Sequence, residues 1–212
     1  MFNQNDVLLF QGDSITDCKR TRDDLDSCGH GYAVLLKSKF LHEHAGKDLK
    51  IYNKAISGNR IVDMYARFEE DCYNLQPNIL SILIGVNDVW HEFTRRAGIN
   101  AEKFNEVYDL LLVEAKKRLP GVKLVLMEPF FLAGGLPVGE YSVWRKEMDV
   151  RSEIVKTLAD KHGAIFVPLQ KVFDEACTKA PDTYWLHDGV HPTAAGHMVI
   201  AQQWEKVVMQ NM

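Results

Sequence analysis

Three side chains far apart in this sequence could together attack a carbonyl carbon: Ser14, Asp188 and His191. Ser14 closes an apolar run in Leu8-Leu9-Phe10-Gln11-Gly12-Asp13-Ser14-Ile15-Thr16, and the other two stand in Asp188-Gly189-Val190-His191-Pro192. A serine hydroxyl becomes a useful nucleophile when an imidazole takes its proton, and the imidazole needs a carboxylate to orient it. Asp188 stands three residues before His191, so one turn of chain lets it reach the far ring nitrogen. Attack by Ser14 on an ester would give an acyl-enzyme, with the imidazolium protonating the leaving alcohol. Each piece alone has a plainer reading. Gly-Asp-Ser can cap any strand-to-helix turn, and a histidine before proline can be a surface residue.

The tetrahedral intermediate of such an attack also needs donors aimed at its oxyanion. The backbone N–H of Gly58, in Ile56-Ser57-Gly58-Asn59, can approach closely because glycine has no side chain. The Asn87 amide, in Gly85-Val86-Asn87-Asp88, is a second donor, and the Ser14 N–H a third. On the substrate side, Asp13, Trp90 and Trp185 lie in or beside these stretches. Asp13, like Asp88, also has a turn to hold. The two tryptophans suit sugar rings and, equally, a buried core.

What must bring these pieces together is a set of alternating strands and helices. Apolar runs bounded by turn residues predict strands at Val7 to Phe10, Lys50 to Asn53, Asn78 to Ile84, Lys123 to Met127 and Ala164 to Val167. Between them the apolar spacing predicts helices over Gly31 to Phe40, Ile61 to Tyr73, Ala101 to Leu119, Tyr141 to His162, Leu169 to Cys177 and Thr193 to Met209. Asp17 to Asp26 reads as a charged surface loop. Phe130 to Glu140 reads as a glycine-rich loop that borders the pocket, contacts another subunit or simply relieves a tight path. This alternation predicts an α/β fold: a central five-stranded parallel sheet covered on both faces. Parallel strands end on one edge, so Ser14, Gly58, Asn87 and the Asp188–His191 pair are predicted to meet there.

With 212 residues the chain is expected to form one domain, residues 1–212. Its net charge of −4 argues against nucleic acid as a partner. The N-terminus lacks the basic start and apolar run of a secretory signal, and no segment reaches the ~20 apolar residues that span a bilayer. The expectation is a cytoplasmic protein without a membrane partner, its four cysteines reduced. His187 with His191, and His42 with His44, are spaced like metal pairs, yet no third ligand stands at a suggestive spacing. No phosphate-binding glycine motif follows a strand. Neither a metal nor a cofactor is expected.

Taken in order, Gly12-Asp13-Ser14-Ile15, Gly58, Gly85-x-Asn87-Asp88 and Asp188-x-x-His191 resemble the four signature blocks of the SGNH (GDSL-type) hydrolases. The resemblance runs from the first strand to the last helix. Ile15 stands where the name-giving motif has leucine. It implies a flavodoxin-like three-layer α/β/α sandwich and metal-free ester hydrolysis, with Ser14 as nucleophile, His191 as base, Asp188 as its partner, and Gly58 and Asn87 as oxyanion donors. Within that family, Gly12 to Cys18, Ile56 to Asn59, Gly85 to Trp90 and His191-Pro192-x-x-x-Gly196-His197-Met198 look similar to intracellular acetylxylan esterases. That likeness implies an acetylated xylo-oligosaccharide or other sugar ester as substrate and a homo-oligomer. A lysophospholipase or thioesterase would use the same residues on longer acyl chains. A flavodoxin-like binding module would keep the turns without the chemistry.

Overall fold

The computed structural model of the chain describes residues 2–134 and 138–212. Its elements follow in the order β1 (Val7–Gly12), α1 (Ser14–Asp17), α2 (Tyr32–Glu43), β2 (Lys50–Asn53), α3 (Ile61–Ala66), α4 (Phe68–Asp71), β3 (Ile79–Leu83), α5 (Val86–Arg95), α6 (Ala101–Arg118), β4 (Lys123–Met127), α7 (Val138–His162), β5 (Ile165–Val167), α8 (Gln170–Ala176), α9 (Asp182–Trp185) and α10 (Ala194–Asn211). The five strands form one parallel sheet in the order β2-β1-β3-β4-β5. That order belongs to the flavodoxin-like, doubly wound α/β/α fold, whose ligands lie where the strand order reverses. Here the reversal falls between β1 and β3.

Strand residues alternate between two cores. Leu8 and Phe10 pack with Leu83, Val125 and Met127 under α2 and α10, while Leu9, Leu80, Ile82, Leu124 and Leu126 face α3, α4, α6 and α7. Both faces being covered explains why the strands read as continuous apolar runs. Trp204, fully buried from α10, donates its indole N–H to Ser81 Oγ at 2.9 Å, so a core polar pair is satisfied.

Three expectations need correction. The helix over Ile61 to Tyr73 breaks at Arg67, whose φ of −108° separates α3 from α4; its guanidinium turns inward to bond chain from two other segments. Asn87 and Asp88 do not merely end a strand. Val86, Val89, Trp90 and Phe93 recur at helical spacing and carry the chain straight into α5, overriding the turn preference of Asn and Asp. Asp17 is not part of a solvated loop: it is 4% exposed and closes α1. Of the glycine-rich stretch expected over Phe130 to Glu140, residues 135–137 lie outside the described residues, and α7 already begins at Val138. Among the described residues no helix is long and apolar enough to cross a membrane.

The junction of β1 and β3 leaves no room beside Gly12. Its φ is +155°, and a Cβ there would lie 2.3 Å from the Leu83 carbonyl oxygen and 2.8 Å from Thr16 Oγ1. Gly12→Ala must therefore push apart two paired strand ends directly beneath the Ser14 turn. Strain and overpacking of this kind are expected to cost about 3 kcal/mol, a fall of roughly 10 °C in melting temperature. A melting curve that matches the parent's would contradict that packing.

Candidate active site

β1 ends at Gly12, and the next residue, Asp13, accepts the Ile15 N–H on Oδ1 at 3.0 Å and so caps the single turn α1. This stop lifts Ser14 out of the sheet at its carboxyl edge. From the other end of the chain, the turn between α9 and α10 delivers Asp188 and His191. Asp188 Oδ1 accepts the backbone N–H groups of Val190 (3.0 Å) and His191 (2.8 Å), which winds the turn around the carboxylate. Its Oδ2 lies 2.7 Å from His191 Nδ1, and His191 Nε2 lies 2.9 Å from Ser14 Oγ. Three side chains separated by up to 177 positions thus form one hydrogen-bonded row.

The electrostatics of this row assign its protons. Burial would raise the Asp188 carboxyl, but the hydrogen bonds from the His191 ring and from two backbone N–H groups outweigh it and hold the group at about 2. A carboxylate that is ionised can only accept, so the ring proton sits on Nδ1 and Nε2 turns its lone pair to the Ser14 hydroxyl. His191 in turn is held above the usual imidazole value by its hydrogen bond to Asp188, against the opposing effect of desolvation.

Ser14 and His191 open onto a cleft of about 640 Å³ that Ser57, His187 and His197 also line. The Gly58 turn stands beside it. Gly58 has φ +84°, and a Cβ at that position would meet nothing within 4 Å. The glycine is therefore required by its left-handed backbone, not by crowding as the sequence suggests. At the start of α5, Asn87 donates from Nδ2 to the Asn59 carbonyl at 3.2 Å, so its amide is tied to the same turn. Asp88, fully buried, accepts the Ile61 N–H on both oxygens at 3.1 and 3.3 Å; burial pushes its carboxyl well up.

The three residues expected on the substrate side are not brought to this cleft. Asp13 is 1% exposed and faces inward, where burial pushes its carboxyl up to about 7. Trp90 packs edge-on against Trp144, ring centroids 5.0 Å apart, between α5 and α7. Trp185 donates its indole N–H to the Ala180 carbonyl at 3.3 Å and lines a separate groove between α8 and α10. Of the spaced histidines, His187 reaches the cleft wall beside His191, and among the described residues no three His, Cys, Asp or Glu side chains converge as a metal site. His197, on the cleft wall, is held by the fold: its Nδ1 accepts the Tyr32 N–H at 3.2 Å, its Nε2 lies 3.3 Å from Cys18 Sγ, and burial pushes it down to about 4.

One contributor is missed by the sequence reading. Asp17 Oδ2 accepts both the N–H (2.8 Å) and the hydroxyl (2.9 Å) of Ser57, lashing the Gly58 turn to the helix that carries Ser14. An aspartate opening a charged stretch gives no sign of burial, and only the position three residues beyond Ser14 hints at a role.

Known proteins share both the sequence and this architecture. A family model described as GDSL-like lipase/acylhydrolase matches residues 10–199. An acetylxylan esterase from Geobacillus stearothermophilus is 33% identical over 203 residues, which cover 92% of this chain and 90% of that protein. A candidate GDSL-like lipase from Parabacteroides merdae superposes with a TM-score of 0.94 at 38% identity, over 99% of this chain and 98% of that one. Axe2, an acetylxylan esterase from G. stearothermophilus, superposes in a serine-to-alanine form described as a catalytic mutant. The TM-score is 0.88 at 31% identity, over 98% of this chain and 95% of that one. A matching family model from β1 to α10, and relatives similar along nearly their whole length, lead to one conclusion: the chain belongs to the GDSL-like lipase/acylhydrolase family and is a carboxylic ester hydrolase.

Proposed function

We propose that this protein is a serine acetylesterase that removes O-acetyl groups from xylo-oligosaccharides or related sugars. The observation that carries the mechanism is the row Ser14–His191–Asp188, with contacts of 2.9 and 2.7 Å at the mouth of one cleft. As His191 Nε2 takes its proton, Ser14 Oγ bonds to the ester carbonyl carbon, and the carbonyl electron pair moves onto oxygen. The N–H groups of Ser14 and Gly58 and the Asn87 amide receive that oxyanion. Collapse expels the sugar alkoxide, which takes the proton from His191. Water, deprotonated by the same nitrogen, then releases acetate and restores the Ser14 hydroxyl. Asp188 stays ionised throughout and stabilises each imidazolium.

The acetyl preference rests on the likeness to an acetylxylan esterase over 92% of the chain. The cytoplasm as its compartment fits four cysteines that are all free thiols. A second reading, hydrolysis of longer acyl chains, is favoured by the GDSL-like lipase relative. Acetate release from a panel of acetylated xylo-oligosaccharides, set beside 4-nitrophenyl acetate and octanoate, separates the two. The acetyl reading expects acetate release from the sugars and a kcat/KM for octanoate lower than for acetate by about tenfold or more, since a longer chain needs an apolar channel. Octanoate turned over faster than acetate, with the sugars untouched, would replace it with the second reading.

A further inference from the structure

One guanidinium bonds the chain segments that flank the proposed oxyanion donors. Arg67, where α3 breaks from α4, has a side chain only 15% exposed. Its Nε donates to Asn59 Oδ1 at 2.6 Å. Its Nη1 donates to Gln11 Oε1 at 3.0 Å, to the Lys54 carbonyl at 2.7 Å and to Asp71 Oδ2 at 2.9 Å. Its Nη2 reaches the Gly12 carbonyl at 3.4 Å. One planar group therefore holds the end of β1, which leads into Ser14, and both ends of the 54–59 segment, which carries Gly58. Asn59 then passes the constraint on. Its side chain is held by Arg67, while its backbone carbonyl accepts one Nδ2 proton of Asn87, leaving the amide's second N–H for substrate.

We propose that Arg67 and Asn59 are positioning residues for ester hydrolysis, fixing the Gly58 turn and the Asn87 amide against Ser14 so that the oxyanion donors are pre-aimed. The inference rests on the reading of Gly58 and Asn87 as those donors. A purely stabilising arginine would need only its ion pair with Asp71. The bonds to Asn59 and Gly12 instead span the two segments whose relative placement sets donor geometry. Donors aimed in advance act on the oxyanion and not on the ground-state ester, so disturbing them lowers kcat while leaving KM in place. Arginine is needed because its donors are fixed in a fork; a lysine ammonium carries the charge on one point.

Two variants of the full chain test this on 4-nitrophenyl acetate, with Ser14→Ala measured beside them. Asn59→Ala deletes the acceptor held by Nε and leaves the carbonyl to Asn87 and the Arg67–Asp71 pair intact. Arg67→Lys keeps the charge and loses the fork. Each is expected to lower kcat by about tenfold or more with KM within about twofold, less than the ~10²–10³ of losing a donor outright. The melting temperature of Asn59→Ala should stay within about 2 °C of the parent, and the double variant should be no slower than Arg67→Lys alone, since both act along one chain of contacts. Wild-type kcat in either variant overturns the proposal, as does an Asn59→Ala whose activity falls only with its folded fraction. Should Arg67→Lys not fold, Asn59→Ala decides alone. Hydrolysis surviving in Ser14→Ala would bring down the underlying mechanism; a dead Ser14→Ala beside a fully active Asn59→Ala would remove this inference only.

Discussion

Replacing Ser14 by alanine is expected to lower hydrolysis of 4-nitrophenyl acetate by about 10⁴-fold or more while leaving the fold intact. The size follows from the proposed mechanism, which without Oγ loses its covalent step while the proposed oxyanion donors and base stay in place. The fold should survive because the hydroxyl's hydrogen bond is to His191, a residue exposed at the cleft. The Asp13 cap and the Gly12 packing stay in place without it. An unchanged melting temperature, with loss of covalent labelling by an aryl phosphonate, would complete the result. A Ser14→Ala enzyme with parental activity would refute the acyl-enzyme mechanism.

Asp188→Asn is expected to cost nearly as much, about 10⁴-fold in kcat, for a different reason. Asparagine keeps the size and one acceptor oxygen, but its amide can donate to Nδ1. That leaves the ring proton on Nε2, facing Ser14 with no lone pair to offer. The same change moves the pH profile. His191 is held above 6.5 chiefly by its hydrogen bond to Asp188, and only the neutral ring is a base. Parent activity should therefore rise with pH through a midpoint above 6.5. The residual activity of Asp188→Asn should rise through a lower one. Asp188 itself, held at about 2, does not shape this limb. A variant midpoint at or above the parent's would show that something other than Asp188 holds the imidazole up.

The same shifts bear on stability, with opposite signs. A raised histidine contributes fully below its unfolded value and loses that contribution as pH rises through the folded value, so the ion pair fades as His191 becomes a base. A depressed aspartate contributes above its unfolded value and loses that contribution as the pH falls toward 2. With side chains 46% and 44% exposed, the pair is well screened. Its geometry matters more to catalysis than to folding.

Much of the site could be read from residue types because its chemistry is carried by short local turns. Gly12-Asp13-Ser14 ends a strand, Asn87 opens the chain after another, and Asp188 reaches His191 within one turn. Such features depend on neighbours a few positions away, and the apolar runs around them determine the parallel sheet that gathers them on one edge. The sequence by itself therefore determined the five strands and the edge at which Ser14, His191 and Asp188 meet. What only the tertiary structure decided is which polar residues turn inward. Asp17 reads as part of a charged surface loop and Arg67 as one more residue of an unbroken helix. Yet Asp17 is buried and the Arg67 side chain largely so, because their partners, Ser57 for one and Asn59 and Gly12 for the other, come from other segments of the chain. Trp90 and Trp185 went the opposite way: placed by sequence beside the chemistry, they are claimed by Trp144 and the Ala180 carbonyl. Burial of a polar or aromatic side chain is set by what packs against it, and that is a property of the folded chain as a whole.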